Sequence, residues 1–481
     1  MIHKIYGPPG TGKTHRLINR ARAYVRIGTP LHKIGYFAFT RKAAKEARER
    51  MPIDEKKLEH FQTLHSFAYN TLGLNEENIM QPFHYEDLGK ELGIRVKYSD
   101  KYNDEETHFL TCNDPYFQMI GRAINRDVGI REEFDRNEHD RKEIRWITLK
   151  HIHDNFLKYK KNYKLYDFND IINNVLNRVP DFDVVFIDEA QDLSPLQWKL
   201  YDKLKEKSKD VYLAGDDDQA IFAWAGADVN RFVQEPAKEK VLKKSRRISR
   251  IVQEESNKPI ERISGIRKQK DYLARDHEGE CKYIANLGQI DLTKGRWLIL
   301  TRTKNQLLEL MKEVRKKNLY YQSNKGKSYK VRLYKAARLY TDWTKGKILE
   351  EKEEKECTDF MGNELFNRTK KWYDVFVAAP EKEKRYIRIM LENGEDLDAD
   401  ARIFMSTIHA IKGGEEDNVI LSLHQGDKIQ KSIKRSVDKR DEEERVWYVG
   451  ITRARNNLYK LKSKIKRKEY RLWEYLHQIY L

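Results

Sequence analysis

A glycine-rich segment near the beginning of the chain has the residue types that bind a chain of phosphates. It lies between a predicted strand and a predicted helix and reads Gly7-Pro8-Pro9-Gly10-Thr11-Gly12-Lys13-Thr14. Glycines let backbone N–H groups surround phosphate oxygens, Lys13 can reach the β- and γ-phosphates, and the Thr14 hydroxyl can ligate Mg²⁺. His15 follows directly, and we predict that it also contacts the nucleotide. The pattern favours binding of a nucleoside triphosphate with Mg²⁺ over an ordinary glycine turn.

Two adjacent carboxylates follow an apolar segment farther along the chain. Residues 184–187 predict a buried strand, and Asp188 and Glu189 come directly after it. Open α/β sheets bind their ligands at the carboxyl ends of the strands. We therefore expect Asp188 to hold Mg²⁺ and Glu189 to orient and deprotonate the attacking water. Such a pair also occurs in solvated turns, and the glycine-rich segment in the same chain favours the catalytic interpretation.

Hydrolysis of a triphosphate also needs positive charge at the γ-phosphate in the transition state. Arg247 and Arg453 are the candidates in the second half of the chain. From the residues alone, an ordinary salt-bridge arginine is the favoured alternative for each.

The elements that must position these residues are short apolar strands followed by amphipathic helices. The predicted strands are residues 2–6, 33–39, 184–187, 211–213, 297–300, 403–405 and 419–421, and the predicted helices include residues 13–27, 41–51, 304–317 and 442–455. Alternating strands and helices predict an α/β fold with parallel sheets. They form an N-terminal block and a C-terminal block, with charged insertions at residues 76–164 and 316–399.

Composition limits the class of partner. The chain has 481 residues, with 94 Lys and Arg against 76 Asp and Glu, a net charge of +18. This excess indicates a polyanion partner, although a lysine-rich bias for solubility is an alternative. The three cysteines lie far apart, so neither a disulfide framework nor a zinc site is predicted. We expect no signal peptide, no membrane span and a cytoplasmic location, which is the host cytoplasm if the protein is phage-encoded.

Taken in chain order, these segments and several others resemble the motif series of superfamily 1A helicases, the UvrD/Rep/PcrA group. Besides residues 7–14, the similar segments are residues 39–44, 63–67, 188–192, 215–227, 245–247, 406–415 and 443–455. The resemblance implies two RecA-like P-loop NTPase domains in tandem, each with an inserted smaller subdomain. The predicted boundaries are 1–75 with 165–245 for the first domain, 76–164 for its insertion, 246–315 with 400–481 for the second domain, and 316–399 for its insertion.

The same resemblance implies an ATP-dependent DNA helicase and assigns roles around the nucleotide. Gln219 senses the γ-phosphate, Arg247 and Arg453 act as arginine fingers from the second domain, and Glu415 contacts the ribose. Arg246 stands where the family has an aromatic side chain that stacks on adenine, and a guanidinium plane can stack similarly.

Single-stranded DNA is held by a charged groove and by aromatic side chains that stack on bases. The predicted stacking residues are Phe222, Trp224, Phe39 and Phe67, and a core position is the alternative for each. By resemblance, the residues that contact the DNA backbone are Thr40, His65 and His409, although a lone histidine is more often packed. Basic side chains interleaved with tyrosines at residues 312–347 suit duplex binding, or else form a solvated face.

The predicted activity is movement along single-stranded DNA from 3′ to 5′, with separation of duplex junctions. A functional monomer and partners among single-strand-binding, replication or recombination proteins are compatible with it. The alternatives are a 5′ to 3′ helicase of the Dda/RecD type and a nucleic-acid clamp that ATP switches without translocation. Residues 443–455 favour the UvrD group, and Lys13, Glu189, Gln219 and Arg453 argue against an inactive site.

Overall fold

The computed structural model describes residues 1–96, 114–136, 144–411 and 413–470. Contacts among Cα atoms divide the chain into two compact units. The first unit comprises Met1–Glu278 with Lys431–Thr452, and the second comprises Gly279–Gln430 with Arg453–Leu481.

The strands are short and belong to two sheets. Their bounds are β1 Ile2–Tyr6, β2 Ile34–Ala38, β3 Phe61–Thr63, β4 Phe182–Ile187, β5 Ser208–Gly215, β6 Lys238–Val241, β7 Glu280–Ile284, β8 Trp297–Thr301, β9 Tyr321–Ser323, β10 Gly326–Lys327, β11 Ile403–Thr407, β12 Glu416–Ser422 and β13 Ala454–Leu461.

The helices connect these strands and form the insertions. Their bounds are α1 Lys13–Arg26, α2 Arg41–Glu49, α3 Leu64–Leu72, α4 Pro82–Glu91, α5 Pro115–Asn125, α6 Ile130–Arg136, α7 Trp146–Tyr163, α8 Phe168–Val175, α9 Pro195–Glu206, α10 Val229–Gln234, α11 Arg250–Ile260, α12 Lys304–Lys316, α13 Val331–Thr344, α14 Glu351–Met361, α15 Trp372–Val375, α16 Glu381–Glu392, α17 Asp427–Ile433 and α18 Val437–Ile451. Within the parts of the chain that the structure describes, every helix is too short or too polar to cross a lipid bilayer.

The sheet of the first unit has six parallel strands in the order β3-β2-β4-β5-β1-β6. Successive side chains of a strand point to opposite faces. In β4, Val185 and Ile187 pack into one apolar cluster, whereas Val184 and Phe186 pack into another. Both faces of the sheet are therefore covered, as is typical of a parallel sheet. The glycine-rich segment follows β1 and the two carboxylates follow β4, so β5 separates the two strands that carry them.

The sheet of the second unit has seven strands in the order β10-β9-β11-β8-β12-β13-β7. All its pairs are parallel except β9 with β10. The helices α13 to α16 build a separate apolar core around buried side chains such as Tyr340 and Phe376. The predicted α/β fold with parallel sheets is thus confirmed.

Helix starts follow local sequence signals. The Thr40 side chain accepts a hydrogen bond from the backbone N–H of Ala43 at the start of α2. Ser194 caps α9 with Gln197, and Pro195 occupies the first turn, where its missing N–H has no cost.

One predicted helix was wrong in its extent. Residues 442–455 were predicted as one helix, but α18 ends at Ile451 and β13 begins at Ala454. The polar sequence of β13 gives a weak strand signal, and its pairing with β12 and β7 decides its conformation.

Candidate functional site

The glycine-rich segment forms a tight loop between β1 and α1. Gly10 and Gly12 have φ of 72° and 84°, values that glycine adopts without steric cost. The Lys13 side chain folds back over the loop, where its Nζ donates to the Gly7 carbonyl oxygen at 2.9 Å. A Cβ at Gly7 would lie 2.0 Å from Cγ of Lys13. The loop therefore needs glycine at position 7 to let the lysine pass.

Asp188 meets this loop through Thr14. The Thr14 hydroxyl donates to Oδ2 of Asp188 at 2.6 Å, and the Tyr36 hydroxyl donates to the same oxygen at 3.1 Å. Burial and the neighbouring Glu189 carboxylate raise the pKa of Asp188 to about 6, and the hydrogen bond from Thr14 opposes this rise. Mg²⁺ prefers oxygen ligands, so the Thr14 hydroxyl and the Asp188 carboxylate fit this ion as a pair.

Glu189 has an unusual backbone conformation. Its φ of 55° and ψ of 41° lie in the left-handed region, which costs a residue with a Cβ about 1 kcal/mol or more. One carboxylate oxygen lies 3.9 Å from Nζ of Lys13, and the other accepts a hydrogen bond from Nε2 of Gln191 at 2.6 Å. The strained turn thus aims the carboxylate towards the lysine of the loop.

Gln191 connects Glu189 to the turn that carries Gln219. The Oε1 atom of Gln191 accepts a hydrogen bond from the backbone N–H of Asp216 at 3.0 Å. The Asp216 carboxylate in turn accepts from Nε2 of Gln219 at 2.7 Å. Gln191 and Tyr36 were not among the predicted site residues. Gln191 could have been found, because it lies in the helicase-like motif at residues 188–192. Tyr36 could not, because its hydrogen bond to Asp188 depends on the register between β2 and β4.

Residues 245–247 pack directly on the loop. The Ser245 hydroxyl donates to the Pro9 carbonyl oxygen at 2.7 Å, and the Arg246 backbone N–H donates to the Gly10 carbonyl oxygen at 2.9 Å. A Cβ at Gly10 would lie 2.2 Å from Cβ of Arg247. Arg247 therefore lies in the same compact unit as the loop, although the sequence analysis assigned residues 246–278 to the second domain. These hydrogen bonds explain the difference, and the domain boundaries as a whole stay a prediction.

A cavity of about 410 Å³ opens beside the loop. Its walls are Thr11, Gly12, His15, Arg16, Asn19, Arg20, Ala23, Leu242 and Arg246. Two predicted nucleotide contacts, His15 and Arg246, thus come together here. The volume and the polar walls suit the base and ribose of a nucleotide.

In the second unit, Arg453 is almost completely buried, with 1% of its surface exposed. Its Nη1 donates to the Gly414 carbonyl oxygen at 3.3 Å. The adjacent Glu415 forms an ion pair with Arg455 at 2.8 Å. The ribose contact of Glu415 stays a prediction, and so does the finger role of Arg453. His409 is partly buried in the same unit, beyond the end of β11.

The predicted stacking residues differ in exposure. Phe67 is fully buried and packs edge-on against Phe37 in the core. It has no surface to offer a base, which corrects its assignment to DNA binding. Phe222 is 2% exposed and stacks on Phe39 at a centroid distance of 5.3 Å, whereas Trp224 is 36% exposed. Phe39 is partly exposed, so Trp224 has the most accessible ring of these four.

Residues at the end of inserted helix α5 contact the turn that carries Trp224. Gly226 ends this turn with a φ of 105°, and a Cβ there would lie 3.3 Å from Asn125 at the end of α5. Nη2 of Arg126 donates to the Ala223 carbonyl oxygen at 3.4 Å. The inserted helices thus fix the position of the tryptophan within the first unit.

The remaining predicted DNA contacts are partly exposed. Thr40 caps α2, and the His65 ring lies 5.3 Å from the ring of Phe168. Their contacts to a DNA backbone stay predictions.

The basic and tyrosine-rich segment has a structural explanation. Tyr329 and Tyr334 are core residues of the helical part of the second unit. On its surface, Arg332 pairs with Asp359 and Arg338 pairs with Asp398, both at 2.8 Å. These ion pairs reduce the positive charge available to a duplex, which favours the alternative of an ordinary charged face.

Two family models together match most of the chain. A family model described as the UvrD/REP helicase N-terminal domain matches residues 2–240, and one described as the UvrD-like helicase C-terminal domain matches residues 181–464. A protein named probable DNA helicase from Mycoplasma pneumoniae is 29% identical over an alignment of 255 residues, which covers 48% of this chain and 46% of the relative. DNA helicase II from Haemophilus influenzae is 27% identical over 249 residues, 47% of this chain and 33% of the relative. ATP-dependent DNA helicase PcrA from Leuconostoc citreum is 25% identical over 244 residues, 47% of this chain and 32% of the relative. The chain thus spans between a third and a half of the length of these relatives.

Proposed function

Because the chain belongs to the UvrD-like helicase family, we propose that it is an ATP-dependent DNA helicase that moves along single-stranded DNA from 3′ to 5′ and separates duplex DNA. The observation that carries this proposal is that four side chains meet at the ends of β1 and β4. Thr14 is hydrogen-bonded to Asp188, and Lys13 lies close to Glu189. Hydrolysis of ATP needs a phosphate cradle, a metal position and a base, and these four side chains supply all three.

At the nucleotide, the loop amides and Lys13 bind the β- and γ-phosphates, and Thr14 with Asp188 holds Mg²⁺. When bound there, Mg²⁺ would neutralise the charge that develops on the phosphates. Glu189 accepts the proton of the attacking water. Its ion contact with Lys13 and its hydrogen bond from Gln191 hold the carboxylate in place for that transfer.

Gln219, Arg247 and Arg453 complete the proposed site. Gln219 recognises the γ-phosphate, and the two arginines contribute positive charge in the transition state. The position of Arg247 against Gly10 supports its part in this set. His15 and Arg246 bind the base from the adjoining cavity, and Glu415 contacts the ribose.

On DNA, we assign base stacking to Trp224 and contacts with the DNA backbone to Thr40, His65 and His409. Replacing Trp224 with alanine is expected to weaken binding of single-stranded DNA by about 5-fold to about 150-fold, because one base–aromatic stack is worth about 1–3 kcal/mol. Basal ATP hydrolysis without DNA should stay within about twofold of wild type, since the proposed phosphate, metal and base positions are formed by Lys13, Thr14, Asp188 and Glu189. Fluorescence anisotropy of a labelled oligonucleotide measures the affinity.

A matched control for this variant is Tyr163→Ala, which removes another exposed aromatic ring at the end of α7. Its DNA affinity should equal that of wild type. If Trp224→Ala binds DNA as tightly as Tyr163→Ala does, base stacking must be assigned to a different side chain.

The decisive experiment compares unwinding of matched duplexes that carry a single 3′ or a single 5′ tail. Wild type should unwind only the 3′-tailed duplex and only with ATP and Mg²⁺, and Lys13→Ala should unwind neither. Unwinding from the 5′ tail alone would overturn the proposed polarity. DNA-stimulated ATP hydrolysis without unwinding would indicate a translocase that needs a partner, and ATP-dependent DNA binding without hydrolysis would indicate a clamp.

A further inference from the structure

A buried cluster of charges lies directly beside Gln219. Asp216, Asp217 and Asp218 follow β5, and each is inaccessible to solvent. The ammonium group of Lys270 lies among them, 2.8 Å from Asp216 and 2.7 Å from Asp218, and it also contacts Asp217. A single buried lysine therefore bridges three consecutive aspartates.

This lysine is the main counter-charge of the cluster. Although its burial favours the neutral form, the three carboxylates raise the pKa of Lys270, so that it stays protonated. Arg267 supplies a second cation through two hydrogen bonds of 2.9 Å to Asp218. Burial raises the pKa of Asp217, the neighbouring Asp218 and Asp216 carboxylates raise it further, and Lys270 opposes this rise. Without Lys270, Arg267 would be the only direct side-chain cation left to these carboxylates among the residues that the structure describes.

The cluster reaches the proposed γ-phosphate sensor through one carboxylate. Oδ1 of Asp216 faces Lys270, whereas Oδ2 of the same residue accepts the hydrogen bond from Nε2 of Gln219 at 2.7 Å. The rotation of this carboxylate is thus fixed from both sides. Since Nε2 must point to Asp216, the orientation of the Gln219 amide depends on where Lys270 holds that carboxylate.

The backbone around the cluster is also anchored. The backbone N–H of Lys268 donates to Oδ2 of Asp217 at 2.8 Å. From α18, Nε of Arg445 donates to the Asp217 carbonyl oxygen at 3.0 Å, and its Nη2 donates to the Ile266 carbonyl oxygen at 3.4 Å. The aspartate turn, residues 266–270 and α18 therefore form one hydrogen-bonded support within the first unit.

We propose that Lys270 is a positioning residue of the ATPase, which sets the orientation of the Gln219 amide through Asp216. This inference rests on the proposed function, because it assigns the support of a residue whose role lies in ATP hydrolysis. Loss of Lys270 releases the Asp216 carboxylate and with it the amide that distinguishes ATP from ADP. The phosphate loop and the metal position have no contact with Lys270 and stay intact.

The test uses the full chain with the double substitution Lys270→Met and Asp217→Asn. Removing one positive and one negative charge keeps the charge balance, and the asparagine oxygen can still accept the hydrogen bond from the Lys268 backbone. We expect kcat of DNA-stimulated hydrolysis to fall at least about 10-fold, since misplacing a catalytic group by about 1 Å can cost as much as about 100-fold. Affinity for ADP should stay within about twofold, whereas the preference for a non-hydrolysable ATP analogue over ADP should be lost. A purely structural role would not change that preference.

The matched control is Lys268→Met. Its ammonium group pairs with Glu239 at the surface instead of joining the cluster, so this variant should match wild type. Wild-type hydrolysis and nucleotide preference in a correctly folded double variant would overturn the inference. Absence of DNA-stimulated hydrolysis in wild type itself would instead contradict the proposed function.

A second variant covers the case in which the double variant does not fold. Asp216→Asn has nearly the same shape and lowers the negative charge of the cluster. Because Lys270 attracts the amide oxygen of the asparagine, the amide nitrogen would face Nε2 of Gln219 and displace it. We expect the same loss of kcat and of nucleotide preference, and a wild-type preference in this variant would equally overturn the inference.

Discussion

Glu189→Gln is expected to lower kcat of DNA-stimulated ATP hydrolysis by about 10³-fold, within the range observed for loss of a general base. Glutamine keeps the shape of the side chain but cannot accept the proton of the attacking water. Lys13, Thr14 and Asp188 are untouched, so the affinity for a fluorescent ATP analogue with Mg²⁺ should stay within about threefold of wild type. Steady-state hydrolysis with saturating single-stranded DNA measures the rate.

The control for this prediction is Glu206→Gln. Glu206 is an exposed carboxylate at the end of α9, where it pairs with Lys203 at 2.8 Å. Its variant should hydrolyse ATP as wild type does. Comparable rates for the two variants would assign the base to another group.

Arg453→Ala is expected to lower kcat by about 10³-fold or more, as removal of an arginine finger does. The buried guanidinium also contacts the Gly414 carbonyl oxygen, so alanine removes structural support as well. Arg453→Lys separates the two effects, because lysine retains the charge but lacks the planar, multiply donating group. We expect this variant to remain folded and to hydrolyse ATP nearly as slowly as Arg453→Ala.

Circular dichroism and thermal unfolding check the fold of both variants, and Arg467→Ala, at an exposed arginine of the second unit, is the control. Recovery of most of the rate in Arg453→Lys would mean that a positive charge at this position suffices and that the planar guanidinium is not required. A near-normal rate in Arg453→Ala would remove this residue from the proposed site altogether.

The two predictions also differ in how the residues could be recognised. Glu189 follows an apolar strand, and the order of residue types alone placed it at a strand end. The sequence pattern does not indicate that its backbone is strained, with φ of 55°. Arg453 was recognised only from its motif, because an arginine after a helix has no distinctive local signal.

Among the aromatic candidates, sequence could not separate surface from core. Phe67 and Trp224 both occur in helicase-like motifs, yet Phe67 is buried against Phe37 and Trp224 is exposed. Burial depends on which helix covers which face of the sheet, and composition at a single position does not contain that information. The motifs identified the neighbourhood of the DNA site but not which ring is accessible there.

The sequence by itself determined the features that depend on near neighbours along the chain. The loop at residues 7–14, the strand Ile2–Tyr6 before it and the helix from Lys13 follow from glycine conformation, apolar runs and helical periodicity. The two α/β halves follow from the alternation of such elements. These signals are local, so no knowledge of the folded chain is needed to recognise them.

Only the tertiary structure decided the contacts between residues that are distant in the chain. Register between β2 and β4 brings the Tyr36 hydroxyl to Asp188, and packing of the segment after α11 brings Lys270 among the three aspartates. Central pairing within a sheet likewise made residues 454–461 a strand despite their polar sequence. Strand register and the burial of charge depend on the whole chain at once, because each is stabilised by partners that a local pattern does not specify.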